Sequence, residues 1–373
     1  MKKLILLLLP LLYACSYPKE QTGSISVPTI NMNDHTSLIF ADWIEDISCV
    51  VLSDNYYLEN WKVLCYLNYI YVYSLSDFSV FVYTDTGKLL KKIDNRGKNK
   101  LVFPTDIYID TLKNELLILD DHKYLNQYSL KGEFIRRRIL PFTAVSMCMP
   151  DETHFLFYDG RLETKSPFNI LISLQDSLSI QKAVIYRDTK KHINGKIPHN
   201  TFTLEPKNKI TYCLFPNNDT IYTYNPKINT VEAYCRLDFA GDLLVEEMFP
   251  AKGFSDQEFA SLMQKKQYIF TINGFYQACG HLFFKLEGKR NHYCMLDLRT
   301  NKLSTFDSVF DGLCSDIVGG DGEQLYFTFR RKDLIEQYTE KKPSYKCLAE
   351  LLSKDDNGDD WILIKTKLKK IRL

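Results

Sequence analysis

Hydrophobic and polar positions alternate along most of the chain in short runs that are separated by turn-forming residues. From Ile47 onward the pattern predicts β-strands, which in the first part of the chain are Ile47–Leu52, Val63–Tyr66, Tyr69–Tyr73, Val80–Thr84, Leu89–Ile93, Thr105–Asp110, Leu116–Leu119, Leu125–Ser129 and Phe134–Ile139. Short strands at this regular spacing, with few helical stretches between them, are typical of an all-β sandwich, barrel or propeller.

One segment recurs and selects among these folds. VFVYTDTGKLLKKI starts at Val80 and LNQYSLKGEFIRRRI starts at Leu125, and their equivalent glycines, Gly87 and Gly132, are 132 − 87 = 45 residues apart. A four-stranded propeller blade takes about 40–50 residues, whereas a sandwich has no reason to repeat at that interval. Each glycine is expected in the tight turn between the third and fourth strands of a blade, where a positive φ is cheap only without a Cβ.

The rest of the chain contains looser copies of this unit. The strands predicted there are His154–Tyr158, Asn169–Leu174, Lys182–Ile185, Ile210–Leu214, Thr220–Tyr224, Glu232–Phe239, His281–Leu286, His292–Asp297, Leu303–Phe306, Gln324–Arg330 and Trp361–Lys367. The sixth blade lacks its outermost strand. Ile47–Leu52 is predicted to supply it, because pairing the two chain ends closes the ring and removes two exposed sheet edges.

Two stretches have helical rather than strand character. One is DQEFASLMQKKQ at residues 256–267, between the fourth and fifth blades, and the other is an insertion into the sixth blade between Arg331 and Asp360. The sequence therefore predicts an all-β, six-bladed β-propeller of four-stranded antiparallel blades over residues 41–373, with a short helical insertion in the last blade.

The N-terminus has the features of an export signal. Basic residues Lys2 and Lys3 precede an apolar run that ends at Leu12 and is too short for a bilayer-spanning helix, which needs about 20 residues. Leu12-Tyr13-Ala14-Cys15 resembles the lipobox of bacterial lipoproteins. We therefore expect residues 1–14 to be a lipoprotein signal peptide and Cys15 to be lipidated. Residues 15–40 are then a lipidated tether that holds the protein to a membrane of the cell envelope. The outer membrane is favoured, and the sequence does not indicate which side of that membrane the protein faces.

Net charge and cysteine placement bear on the partner class and on the state of the thiols. Removing residues 1–14 changes the formal charge from +1 to −1, so nothing favours a nucleic-acid partner. Nine cysteines remain after Cys15, mostly inside apolar runs, which indicates buried thiols acting as small hydrophobic groups. One or two disulfides are compatible with an oxidising compartment, and the sequence does not pair them.

Catalytic patterns are mostly missing from the chain. It has no H-E-x-x-H, G-x-S-x-G, Walker loop or Cys/His ligand cluster, and its seven histidines are scattered. The acidic run at residues 355–360 lacks the ligand spacing of a calcium loop. We therefore predict no catalytic residue, no metal and no cofactor.

Several segments together resemble a known group of proteins. They are IEDISCVVL, VYTDTGKLLKKI, FPTDIYID with LLILD, NDTIYTYNP with YCRLDFAG, and the closing DDNGDDWILIKTKLK. With the lipobox, these resemble the six-bladed β-propeller lipoproteins of Gram-negative bacteria, which are related to NHL-repeat propellers. That family often carries a Gly-Pro-Gly-Glu-Tyr-like segment after the strand that ends here at Ile93. This chain has DNRGKNKLVFP instead, which keeps Gly97 only, so the resemblance by itself does not assign a binding role to that loop. The resemblance implies the fold more strongly than a function.

Propeller topology indicates where a ligand would bind. With blade strands lettered A to D from the channel outward, the B–C loops and D–A connections open on one face, which we call the loop face. The candidate ligand-binding residues on it are Arg96, Lys98, Asp121, His122 and Lys123, and the B–C loops at 160–167, 216–219 and 287–291 share this face. Converging polar groups suit an anionic or sugar-like ligand.

The sequence favours a membrane-anchored, non-enzymatic propeller that binds a glycan, a peptide or an envelope protein through the loop face. One alternative is a lactonase- or lyase-like propeller enzyme with a site in the central channel. Another is a structural subunit of an envelope complex.

Overall fold

A computed structural model describes residues 27–53, 61–159, 168–186, 200–244, 248, 250, 254–313, 315–339, 342–353 and 359–369. Its first strands are β1 (Thr29–Asn31), β2 (His35–Ser37) and β3 (Ile44–Leu52), with a 3₁₀ turn at Phe40–Trp43 before β3. Each of these three strands pairs with a sheet whose other strands come later in the chain.

Six sheets follow one another along the chain. Blade 1 contains β4 (Trp61–Tyr66), β5 (Tyr69–Ser74), β6 (Ser79–Thr84) and β7 (Leu89–Ile93). Blade 2 contains β8 (Pro104–Asp110), β9 (Glu115–Asp120), β10 (Tyr124–Ser129) and β11 (Phe134–Ile139). Blade 3 contains β12 (Ser146–Cys148), β13 (His154–Tyr158), β14 (Phe168–Leu174) and β15 (Ile180–Tyr186).

The second half of the chain repeats the pattern. Blade 4 contains β16 (Phe202–Glu205), β17 (Ile210–Cys213), β18 (Thr220–Asn225) and β19 (Thr230–Asp238). Blade 5 contains β20 (Ile269–Ala278), β21 (His281–Gly288), β22 (Tyr293–Asp297) and β23 (Leu303–Phe306). Blade 6 contains β24 (Ile317–Gly320), β25 (Gln324–Arg330) and β26 (Trp361–Leu368), followed in the sheet by β3. The predicted six-bladed propeller is confirmed.

The N-terminal strand closes the ring as expected. β3 pairs antiparallel with β26, from Leu52 opposite Trp361 to Ile44 opposite Leu368. Two further strands were not predicted, because they lie within residues 15–40, where a tether was expected. β1 runs parallel to β19, the outer strand of blade 4, and β2 runs parallel to β23, the outer strand of blade 5. The chain therefore covers the outer edges of blades 4 and 5 before it closes blade 6.

A separate hydrophobic cluster lies between each pair of neighbouring blades, and the six clusters together close the ring. Between blades 6 and 1, for example, Leu363 and Tyr326 pack with Val72 and Phe81. Burying a side chain of this size stabilises the fold by about 1.5–3 kcal/mol. Tyrosines also hydrogen-bond between blades, since the Tyr71 hydroxyl of blade 1 donates to the Leu130 carbonyl of blade 2 at 2.9 Å. A tyrosine at such a position buries an apolar ring and satisfies its hydroxyl at the same time.

In the part of the chain that the structure describes, three α-helices interrupt the strands. Helix α1 (Asp256–Lys265) begins with a capping box between Ser255 and Glu258 and links blades 4 and 5. Helices α2 (Arg331–Gln337) and α3 (Lys346–Leu352) form the predicted insertion between β25 and β26, and their buried leucines pack on the cluster between blades 5 and 6. Within the described ranges, no helix has both the length and the apolar character needed to cross a membrane.

Candidate functional site

The structure gathers three of the predicted residues in one turn of the loop face. Asp121 and His122 follow β9 with φ values of 49° and 60°, which makes the turn into β10 tight. The Lys123 Nζ lies 3.1 Å from the Asp121 carboxylate, and the His122 ring lies 5.5 Å from that of Phe103 at the end of the neighbouring D–A connection. Asp121, His122 and Lys123 therefore form one compact unit with that connection.

The other two predicted residues lie in the D–A connection itself. The Arg96 Nε donates to the Asp94 carboxylate at 2.7 Å, and the Arg96 side chain is 75% exposed. Lys98 is exposed in the same loop. Arg96 is thus paired within its own connection, with a residue two positions earlier in the sequence. The predicted lipidation site Cys15 and the loop 160–167 lie outside the described residues.

A buried carboxylate that the sequence did not single out holds this region together. Asp120, at the end of β9, is fully buried and accepts hydrogen bonds from the backbone N–H groups of Val102 at 2.9 Å and Phe103 at 2.7 Å. Arg137 lies 3.6 Å from the same carboxylate. Charge-assisted bonds of this kind are about twice as strong as neutral ones, so Asp120 fixes the end of the D–A connection against blade 2.

A cleft opens on the loop face between blades 5 and 6, and we call it the blade 5–6 cleft. Its volume is about 160 Å³. It is lined by strand ends of both blades and by the end of the connection between them, namely Asn273, Gly274, Lys285, Tyr293, Ser315, Asp316, Ile317, Val318, Thr328 and Trp361.

Three polar side chains converge in the blade 5–6 cleft. The Lys285 ammonium pairs with the Asp316 carboxylate, and the Tyr293 hydroxyl lies 2.7 Å from the same carboxylate oxygen. The Lys285 Nζ also lies 5.5 Å from the centre of the Tyr293 ring. The Asp316 side chain is 57% exposed although two partners hold it. Asp316 therefore presents a positioned acceptor to solvent.

An indole forms another wall of the cleft. Trp361 is half-buried at the start of β26, and the Arg330 guanidinium lies 5.2 Å from the centre of its ring. An aromatic side chain and a positioned hydrogen-bond acceptor in one cleft are the combination that suits an amphipathic ring.

A buried tyrosine lies beneath the cleft. A Cβ placed on Gly274 would come within 3.8 Å of the Tyr276 ring, and Tyr276 is only 3% exposed. Among the described residues its hydroxyl meets no hydrogen-bond partner. Burial raises the pKa of this phenol, and the charges of Asp106 and Asp316 act in the same direction. Tyr276 is therefore a neutral phenol.

The central channel contains an ion pair that links three blades. The Lys62 Nζ of β4 lies 2.7 Å from Asp106 of β8, and the other Asp106 oxygen accepts from the Ser146 hydroxyl and the Met147 N–H of β12, both at 2.8 Å. Lys62 and Asp106 are 6% and 3% exposed. All these polar groups pair with one another, which is the arrangement expected of a structural core.

The described residues contain no group of three or more His, Cys, Asp or Glu side chains that could hold a metal ion. His281 is buried at the start of β21, where its ring lies 5.2 Å from that of Trp43 and its Nδ1 lies 3.1 Å from the Cys279 carbonyl. Burial lowers the pKa of His281. The neutral imidazole is packed between aromatic rings, which is a structural position.

A second cavity, which we call the α1 pocket, lies beside helix α1 and the B–C loops of blades 4 and 5. Its volume is about 280 Å³, and its lining is mostly apolar, with Phe259, Met263 and Phe270 as its largest apolar side chains. The Asn217 amide at its edge donates to the Leu244 carbonyl at 2.9 Å. Apart from the helical pattern of α1, no feature of the sequence predicted this pocket.

Two solved structures share the architecture. A Bacteroides fragilis NCTC 9343 protein, named as a candidate exported protein, superposes with a TM-score of 0.70 at 16% identity, over 92% of this chain and 99% of that one. A member of the DUF4221 family from Bacteroides vulgatus ATCC 8482 gives a TM-score of 0.53 at 10% identity, over 90% and 98% of the two chains. At these identities the likeness shows the fold alone.

No curated protein matches the sequence significantly. One family model does, over residues 23–364, which is nearly the whole chain. The chain belongs to the family defined by the domain of unknown function DUF4934.

Proposed function

We propose that this protein is an exported, lipid-anchored and non-enzymatic propeller that binds a hydroxyl-rich ligand, such as a glycan, in the blade 5–6 cleft. The observation that carries the proposal is that the positioned Asp316 carboxylate and the Trp361 indole line the same cleft. A sugar ring offers hydroxyl donors at its edge and a C–H face, and these two side chains match the two surfaces.

The charge of the cleft favours a neutral ligand over an anion. Lys285 is already paired with Asp316, and the more exposed member of that pair is the carboxylate. An anionic ligand would meet the negative end of the pair first, and this costs free energy. Of the two ligand classes expected from the sequence, the sugar-like one fits better.

The channel cluster favours binding over catalysis. A channel-centred enzyme needs reacting groups that a substrate can reach, whereas Lys62 and Asp106 are buried and paired with each other. The α1 pocket could hold an apolar part of a ligand, but no tryptophan is among its lining residues.

Binding in the cleft is tested with the purified protein on an array of neutral oligosaccharides, uronic-acid oligosaccharides and peptides. Trp361→Ala and Asp316→Asn are each expected to weaken binding of a neutral oligosaccharide at least tenfold, about 1.4 kcal/mol, as measured by titration calorimetry. Arg96→Ala and Lys98→Ala, on the same face but in the connection between blades 1 and 2, are the controls and should bind as the wild type does.

The opposite pattern would refute ligand binding in the blade 5–6 cleft. If Arg96→Ala or Lys98→Ala abolishes binding and the cleft variants do not, the ligand binds at the connection between blades 1 and 2. If no array member binds and a partner protein co-purifies from native membranes, the structural-subunit alternative is correct.

The proposed anchor rests on Cys15 and the segment before it, and export is in line with the name of the Bacteroides fragilis neighbour. Cys15→Ala is expected to move most of the protein from the membrane fraction to the soluble fraction, as measured by fractionation and immunoblotting. The control Cys279→Ala should stay with the membrane. A Cys15→Ala protein that remains fully membrane-bound would contradict lipidation.

A further inference from the structure

The helical insertion and the ring-closing strand are in contact through two cysteines. Cys49 lies in the middle of β3, opposite Ile364, and Cys347 lies in the first turn of α3. Both are half-buried and pack against the hydrophobic cluster between blades 5 and 6. They are 347 − 49 = 298 residues apart in sequence, so no local pattern relates them.

The two thiols interact directly. The hydrogen bond between the side chains raises the pKa of Cys49 and lowers that of Cys347. The thiolate is the nucleophile in thiol–disulfide exchange, and Cys347 is therefore the more reactive member of the pair. By contrast, the buried thiols Cys213 and Cys294 have pKa values raised by desolvation.

We propose that Cys49 and Cys347 form a disulfide that fastens the helical insertion to the closing strand of the propeller. Helix α3 packs directly against β3, and the two side chains are hydrogen-bonded to each other across that contact, which is the proximity that a disulfide requires. An export signal directs the chain to a compartment where disulfides form and persist, and the proposal does not depend on which ligand the cleft binds.

The oxidant is a disulfide, either of a thiol–disulfide oxidoreductase or of glutathione. The Cys347 thiolate attacks one sulfur of that disulfide, which breaks the oxidant's S–S bond, releases one thiolate and forms a mixed disulfide. The Cys49 thiolate then attacks the Cys347 sulfur and expels the second thiolate of the oxidant. The two cysteines lose two electrons and two protons, and the oxidant becomes two thiols.

The bond would join the two ends of the ring covalently. β3 is the N-terminal strand that completes blade 6, and α3 precedes β26, the strand with which β3 pairs. A cross-link over so long a loop restricts the unfolded chain strongly in the chain-entropy model. It also holds the insertion that leads to Trp361, one wall of the cleft.

The pairing is tested on the wild-type protein, without a variant that might fail to fold. The protein is equilibrated with oxidised glutathione, its remaining thiols are blocked with N-ethylmaleimide, and its proteolytic peptides are mapped by mass spectrometry without reduction. We expect a linked pair of peptides that contain Cys49 and Cys347. Recovery of both cysteines in the N-ethylmaleimide form, or linked to other cysteines, would overturn the proposal.

The stabilising effect is tested separately. Oxidation is expected to raise Tm by about 5 °C over the dithiothreitol-reduced protein, and Cys347→Ser should abolish this difference. Cys279→Ser is the matched control, since Cys279 is also half-buried, and it should keep the full difference. Loss of the difference in Cys279→Ser, or its persistence in Cys347→Ser, would refute the assigned pair.

Discussion

Replacing Asp106 by alanine is expected to destabilise the folded propeller by about 3–5 kcal/mol. The substitution leaves the Lys62 ammonium of blade 1 buried without its carboxylate. It also removes the acceptor of the Ser146 hydroxyl and the Met147 N–H of blade 3. One side chain holds three consecutive inner strands together, and its loss therefore acts on all three.

The measurement is urea unfolding followed by circular dichroism, with Asp77→Ala as the matched control. Asp77 pairs with Lys92 at 2.7 Å, the same distance as in the Lys62–Asp106 pair, but the Asp77 side chain is 38% exposed. Exposed pairs of this kind contribute about 0–1 kcal/mol, so the control should lose less than 1 kcal/mol. Similar losses in the two variants would show that burial does not determine the strength of the channel pair.

A double variant separates the destabilisation caused by an unpaired buried charge from the stabilisation that the ion pair itself contributes. Lys62→Met with Asp106→Leu removes both charges and keeps apolar volume in the channel. Because no buried charge remains, this protein is expected to be more stable than Asp106→Ala alone. An equal or greater loss would assign the effect to the bonds with blade 3 rather than to Lys62.

The repeating blades could be predicted from the sequence because the pattern that specifies each strand lies within that strand and its adjacent turns. In blades 1 and 2 each strand has its own alternation and its own turn residues, so Val80–Thr84 and Leu125–Ser129 were found nearly at their observed bounds, Ser79–Thr84 and Tyr124–Ser129. Strand β1 was missed because it is three residues long, and β2 because it is equally short and exposed throughout. Their pairing depends on outer strands far away in sequence.

The blade 5–6 cleft could not be predicted for a related reason. Its ion pair joins β21 to the connection before β24, and its indole comes from β26, after the helical insertion. None of these segments carries a motif, and only the closed ring brings them together. By contrast, Asp121, His122 and Lys123 are adjacent in sequence, and the prediction that they share the loop face needed only blade topology.

Replacing Gly87 by alanine is expected to cost about 3 kcal/mol or more, whereas the same change at Gly132 should cost about 1 kcal/mol. Both glycines occupy the C–D turn, with φ values of +87° and +80°, so the penalty for a left-handed alanine is the same. They differ in what a Cβ would meet. At Gly87 it would lie 1.8 Å from the Val51 carbonyl oxygen of the closing strand, and at Gly132 its nearest neighbour is the flexible Lys91 side chain at 3.1 Å.

The backbone around Gly87 cannot relax without disturbing ring closure. The Gly87 carbonyl accepts hydrogen bonds from the N–H and the hydroxyl of Ser53, both at 3.0 Å, directly after β3. Moving the turn away from Val51 would stretch these bonds, which join blade 1 to blade 6. Urea unfolding of the two alanine variants measures the difference, and equal losses would contradict the close contact. Because the two glycines share their turn and their φ, the excess loss at Gly87 reports the contact between blade 1 and the strand that closes the ring.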